Sequence, residues 1–197
     1  DQRVKAVAPL VIDTLNVQSK ITNQLKSFGG KYSEMIHDYE ERKLLPLPDT
    51  SVARRLWVMV DPWVYRAKLT LPKMIINGTN DPYWAQDALN LYWDDLRGEK
   101  PVCYVPNAGH DLRPMDKPNQ PGTSKDPFPR KGITPLAACA KYQIADKPMP
   151  KLTWKHTDAD GKAVLTIESD PKPKEVRYWT ADSATRDFRQ SKWKEQS

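Results

Sequence analysis

The sequence predicts an α/β fold: parallel strands joined by crossover helices, followed by a small all-β module. Three observations predict it. Short apolar runs alternate with segments of helical period in the first 146 residues. Turn-rich loops follow each apolar run, at Asp13, at Gly78-Thr79-Asn80-Asp81-Pro82 and at Pro106-Asn107-Ala108-Gly109-His110. After Lys147-Pro148-Met149-Pro150, a linker in appearance, the period changes to two. The expected domains are therefore 1–146 and 151–197.

Residues 4–12, V-K-A-V-A-P-L-V-I, read as a strand buried on both faces, with Pro9 making its far end irregular. Val17, Ile21, Leu25 and Phe28 recur at helical spacing before Gly29-Gly30, the left-handed stop many helices use. A second helix is expected from Ser33 with Tyr32, Ile36, Tyr39 and Lys43 on one stripe, closed by Pro46 and Pro48. A third runs from Thr50 with Val52, Leu56, Met59 and Val60 inward, and Asp61-Pro62 breaks it. The stretch 16–70 so forms a helical insertion.

K-M-I-I-N at 73–77 is the second strand and V-C-Y-V at 102–105 the third. Between them Ala85, Ala88, Leu89, Tyr92 and Leu96 predict a crossover helix over 83–96, stopped at Gly98. Residues 111–132 hold five prolines and no period, which predicts a long irregular loop directly after His110. Ile133, Leu136, Ala137, Ala140 and Ile144 predict a further helix. Beyond the linker, Asp160-Gly161 marks a hairpin turn between two strands of a small β-sandwich-like module. Its last segment, Ser183 to Trp193, shows no obvious closing strand, so the module reads as truncated.

Composition removes several classes. With 39% apolar and 28% charged residues and only 8 Gly, fibrous and disordered chains do not fit. No apolar run reaches the roughly 18 residues that cross a bilayer, so no membrane span is expected. The net charge of +6 is spread along the chain rather than gathered in a stripe, which argues against nucleic acid. Cys103 and Cys139 are too few for a disulfide framework and read as buried thiols. His37-Asp38 with Glu40-Glu41 lacks a second histidine on its helix face, so no metal and no cofactor is expected. His156 reads as exposed.

Asp81 and His110 each follow a strand of one inferred crossover, at the rim where open α/β sheets place ligands. A carboxylate that accepts a histidine's Nδ1–H leaves Nε2 as a general base, so the two form two thirds of a nucleophilic triad. No serine here lies in a G-x-S-x-G turn, and neither cysteine lies on a comparable elbow. Asp13, which ends a strand, and Asp61 are the reserve acids. Trp84, three residues from Asp81, is the expected substrate contact; Trp57, Trp63 and Trp93 read as core, with lining of a substrate pocket as the alternative.

The stretch from Gly78 through Asp81-Pro82-Tyr83-Trp84, A-L-N-L-Y-W-D-D-L-R-G-E-K at 88–100, Y-V-P-N-A-G-H at 104–110 and T-R-D-F-R at 185–189 closely resemble the PhoPQ-activated pathogenicity-related protein family. The resemblance covers nearly the whole chain. It implies the C-terminal portion of a serine-type α/β-hydrolase-like protein, with Asp81 and His110 as acid and base. The nucleophile elbow and oxyanion donors would lie in the upstream part of the same protein, which becomes a required partner. The implied substrate is a small-molecule or peptide ester or amide, and the implied location is secreted or periplasmic. The alternative is a non-catalytic secreted interaction protein that keeps the hydrolase fold. The sheet alone is expected to expose an apolar edge.

Overall fold

The computed structural model describes residues 3–115 and 130–196; most of the loop expected over 111–132 lies outside them. Helices and strands are mixed, as the α/β expectation requires, and among the described residues the strands form three two-stranded sheets.

The first sheet positions the site. Strand β1 (Ile75–Gly78) is buried along its whole length and pairs in parallel with β2 (Val102–Val105), from Ile75 opposite Val102 to Gly78 opposite Val105. Residues 4–12 lie along the other edge of β1, but not as the expected strand. They pair with 73–76 through two isolated parallel bridges, Val7 with Lys73 and Leu10 with Ile76. Pro9 offers no N–H, although its carbonyl accepts from Ile76 N at 3.1 Å, and Val11 turns to φ 51°. Burial on both faces is also not found, since Val4, Val7 and Ile12 are exposed along this outer edge.

The connection between β1 and β2 keeps its expected core but not its helix. Ala85, Ala88, Leu89, Tyr92 and Leu96 are all buried, the last three beside Ile75. Regular structure is confined to one 3₁₀ turn, Ala88–Leu91. Asp94 and Asp95 would oppose the dipole at the helix C-terminus, and Tyr92 leaves helical geometry at φ −148°. Lys100 Nζ then takes the carbonyls of Trp93 and Leu96.

Helix α1 (Val17–Ser27) ends as the double glycine predicts, with Gly29 and Gly30 at φ 67° and 81°. The stripe read from its period is a minor part of what it buries: Lys20, Asn23, Gln24 and Ser27 are buried beside Ile21. The expected second helix is split into a 3₁₀ turn, Glu34–Ile36, and a single α turn, α2 (His37–Glu41). Helix α3 (Ser51–Val60) starts at Thr50, whose hydroxyl accepts from Ala53 N at 3.1 Å. Its supposed inner face is outside: Val52 is 75% exposed and Met59 73%, and among the described elements α3 packs mainly on the following turn, Pro62–Lys68.

Helix α4 (Arg130–Ile144) packs on the first sheet, where Cys139 and Leu136 join Met74, Ile76 and Val105. Strands β3 (Lys151–Ala159) and β4 (Lys162–Asp170) form a nine-pair antiparallel hairpin turning at Asp160-Gly161, both at positive φ. Its contact with the rest includes Trp154 on Trp93, with ring centroids 5.5 Å apart. Residues 183–193 carry no strand, and just beyond them β6 (Lys194–Gln196) pairs with β5 (Tyr178–Thr180). Among the described residues these four strands form two separate ribbons, not a sandwich.

Candidate functional site

The loops after β1 and β2 meet at very close range. A side chain at Gly78 would put a Cβ 2.3 Å from the Ala108 carbonyl oxygen and 2.5 Å from that of Gly109, so only glycine lets the two loops touch. Thr79 N donates to Val105 O at 3.1 Å and Asn80 N to Ala108 O at 3.0 Å. Thr79 Oγ1 accepts from Asn107 N at 2.9 Å and donates to Asn80 Oδ1 at 2.7 Å.

This stitching brings Asp81 and His110 together across 29 residues of sequence. His110 Nδ1 lies 2.9 Å from Asp81 Oδ2, while Asp81 Oδ1 accepts from Tyr83 N at 2.8 Å. The carboxylate is buried; the imidazole is 41% exposed. The Tyr83 ring packs on the His110 ring with centroids 4.2 Å apart. The hydrogen bond to Asp81 holds the His110 pKa above its ordinary value; partial burial pulls it down, and the charges of Asp81 and Asp111 push it up. With Nδ1 committed, Nε2 is the ring's available nitrogen.

His110 borders a cleft of about 390 Å³ lined by Ser33, Met35, Tyr83, Met115 and Arg189 among others. Ser33 is the described serine on that wall, and its hydroxyl is engaged elsewhere. It donates to Pro82 O at 2.5 Å and accepts from Met35 N at 3.1 Å. A second cleft of about 330 Å³ shares Met35, Tyr83 and His110 and is bounded by Val11, Ile12 and Trp84. Trp84 thus reaches the second cleft rather than the first, and most of it is buried with Ile21, Ile36, Leu45 and Ala88. Neither cleft is lined by Trp57, Trp63 or Trp93.

The reserve acids are occupied. Asp61 accepts from Val17 N at 2.9 Å, Asn16 N at 3.2 Å and Trp63 N at 2.9 Å, so it caps α1 and the turn after α3. Asp13 accepts from Tyr92 OH at 2.7 Å and from Lys20 Nζ, whose ammonium also lies over the Trp84 and Tyr92 rings. Burial pushes the Lys20 pKa down to about 8, against the pull of Asp13. Burial, then Asp13, pushes Tyr92 up. His37 is exposed, its Nδ1 on Glu34 O at 2.9 Å, and His156 is exposed on β3. Among the described residues no three ligating side chains gather as a metal would need. Cys103 and Cys139 are free thiols raised in pKa by burial.

Sequence reasoning missed Tyr83, Asn80, Asn107 and Arg189 as residues of the site. The only signal for them was their place in the four phrases that carry the family resemblance.

A family model described as PhoPQ-activated pathogenicity-related protein matches residues 1–189. The chain belongs to that family. It is also 29% identical over 199 residues to Autocrine proliferation repressor protein A of Dictyostelium discoideum, a match covering 96% of this chain and 37% of that protein. The chain therefore spans little more than a third of that relative's length. No solved structure matches it. The family phrases meet in space: Asp81, Asn107, His110 and Arg189 all stand at the rim of the first sheet. Among the described residues, no helix is long and apolar enough to cross a membrane.

Proposed function

We propose that this chain supplies the acid and base of a serine-type hydrolase acting on esters or amides, as the C-terminal portion of an α/β-hydrolase fold. The observation that carries the reading is the 2.9 Å contact between His110 Nδ1 and a buried carboxylate, on loops that follow two parallel strands. Asp81 holds the imidazole in the tautomer that leaves Nε2 free. Nε2 takes the proton of a serine hydroxyl contributed by an upstream part of the protein as its oxygen adds to the substrate carbonyl. The same proton is then given to the departing alcohol or amine. Water repeats the cycle on the acyl-enzyme. The oxyanion donors belong to that upstream part, and the protein is exported.

Labelling of the full-length protein by a fluorophosphonate tests this. Reaction that falls at least about a hundredfold in His110→Ala and markedly in Asp81→Asn is expected. Absence of labelling in the wild-type protein, with the fold intact, would sink the proposal. This chain alone is expected not to hydrolyse activated esters.

A second reading draws on the relative named as an autocrine proliferation repressor: a secreted interaction protein that retains the fold without the chemistry. The exposed apolar side chains of α3 and of the β3–β4 hairpin suit it. Replacement of the upstream serine by Ala or Gly in the full-length sequence would favour it.

A further inference from the structure

The tail runs back over the site instead of leaving it. Asn80 immediately precedes Asp81, and its Nδ2 is within 3.2 Å of the carbonyl oxygens of Phe188 and Arg189 and 2.7 Å of that of Ser191. Asn107 opens the turn into His110. Its Nδ2 donates to Trp193 O at 2.8 Å and its Oδ1 accepts from Trp193 N at 2.8 Å, 86 residues away. So each loop that carries a member of the pair sends the amide side chain of an asparagine to one short tail segment.

That segment is itself anchored at several points. Arg186 pairs with Asp87 on the β1–β2 connection. The Arg189 guanidinium is held by Asp187 through Nε and Nη2, at 2.9 and 2.6 Å, and lies 3.8 Å over the Phe28 ring at the end of α1. Phe188 and Trp193 pack on each other with centroids 5.9 Å apart. Thr79 Oγ1 joins the two asparagines from inside, so five loop-to-tail contacts belong to one connected network.

We propose that residues 186–193 are a strap that positions the Asp81–His110 pair, with Asn80 and Asn107 as the positioning residues through which it acts. Loops beyond strand ends are the parts of a fold that open most readily, and an acid–imidazole contact tolerates little separation before the carboxylate stops supporting the ring. The strap spans both loops and limits their independent motion. Its catalytic meaning rests on the hydrolase reading; its effect on His110 does not.

The test is an NMR titration of the His110 ring in this chain. Asn107 sits at φ 55°, so Asn107→Gly removes the side chain without forcing a Cβ into left-handed backbone. Asn80 has no such constraint, and Asn80→Ala carries the same test should the glycine variant fail to fold. Each is expected to lower the His110 pKa by at least about half a unit, toward the ordinary value near 6.5, and to weaken the low-field Nδ1 proton signal. Asp111 and Glu34 also border this cleft and are untouched in both variants. Withdrawal of Arg189 with a loosened strap would push the pKa the other way, so a fall reports the Asp81 contact.

Arg177→Ala, which removes ion pairs to Glu175 and to Glu195 of β6, is the control and is expected to leave His110 unchanged. An unchanged or raised His110 pKa in both asparagine variants would overturn the strap and leave those contacts as mere attachment of the tail. In the full-length protein the same variants are expected to slow fluorophosphonate labelling roughly tenfold. If the wild type does not label, the hydrolase reading fails while the titration still decides the strap.

Discussion

Two aspartates follow the parallel segments of the first sheet, and their fates differ. Asp13, after residues 4–12, is 5% exposed and Asp81, after β1, is 8% exposed. Asp13 is bound by the Lys20 ammonium, which has no solvent exposure, and by the Tyr92 hydroxyl. Asp81 is bound by an imidazole that is 41% exposed and opens on a cleft. Depth and position therefore do not separate a structural carboxylate from a chemical one. What separates them is whether the partner's remaining atoms reach a space that a substrate could enter.

Substitutions can break or sharpen that contrast, and the largest effect belongs to the sealed knot. Asp13→Asn leaves the Lys20 cation buried without its anion, a loss expected at about 3–5 kcal/mol. Urea unfolding of the variant measures it. Asp13→Asn combined with Lys20→Met should be less destabilised than Asp13→Asn alone; if it is worse, the pair is not coupled.

Asp81→Asn should cost far less, about 1 kcal/mol, because the amide oxygen still accepts from Tyr83 N and the imidazole can turn to water. Its main effect should be on His110, whose pKa falls toward 6.5 in an NMR titration. A loss of stability as large as that of Asp13→Asn would erase the distinction drawn between the two aspartates.

A pH series reads the same pair with a definite sign. The folded-state pKa of His110 lies above its unfolded value, so the stabilisation from the protonated ring is fully present below about pH 6.5. It is lost as pH rises through the raised folded value. Unfolding midpoints of wild type and His110→Gln should therefore differ more at pH 5.5 than at pH 8.5. The half-exposed ring is screened by solvent, so the difference stays small. Met59→Glu sets the floor of the scale: at 73% exposure on α3 it should change stability by no more than about 0.5 kcal/mol. A larger loss would show that α3 packs more tightly than its exposure indicates.

Much of the frame was legible in the sequence. The order of the three parallel segments, α1 with its double-glycine stop, α3 from Thr50 and the hairpin at Asp160-Gly161 follow from period and turn chemistry. So does the meeting of Asp81 with His110, because strand ends of one sheet share a rim. The apolar stripe of α3 has helical spacing, yet among the described residues none of it is buried. The same method misjudged residues 83–96 as well, where Tyr92 and the paired aspartates overrode an apolar period.

The sequence by itself determined α1, α3, the β3–β4 hairpin and the two loops that carry a carboxylate and an imidazole, since these depend on neighbours a few residues apart. The tertiary structure decided that Lys20 is buried against Asp13, that the tail closes with β6, and that Asn80 and Asn107 grip residues 188–193. These last contacts join side chains to backbone groups some 80 to 110 residues away and impose no period. A hydrogen bond across that distance is specified by the packed chain as a whole, so no local pattern announces it.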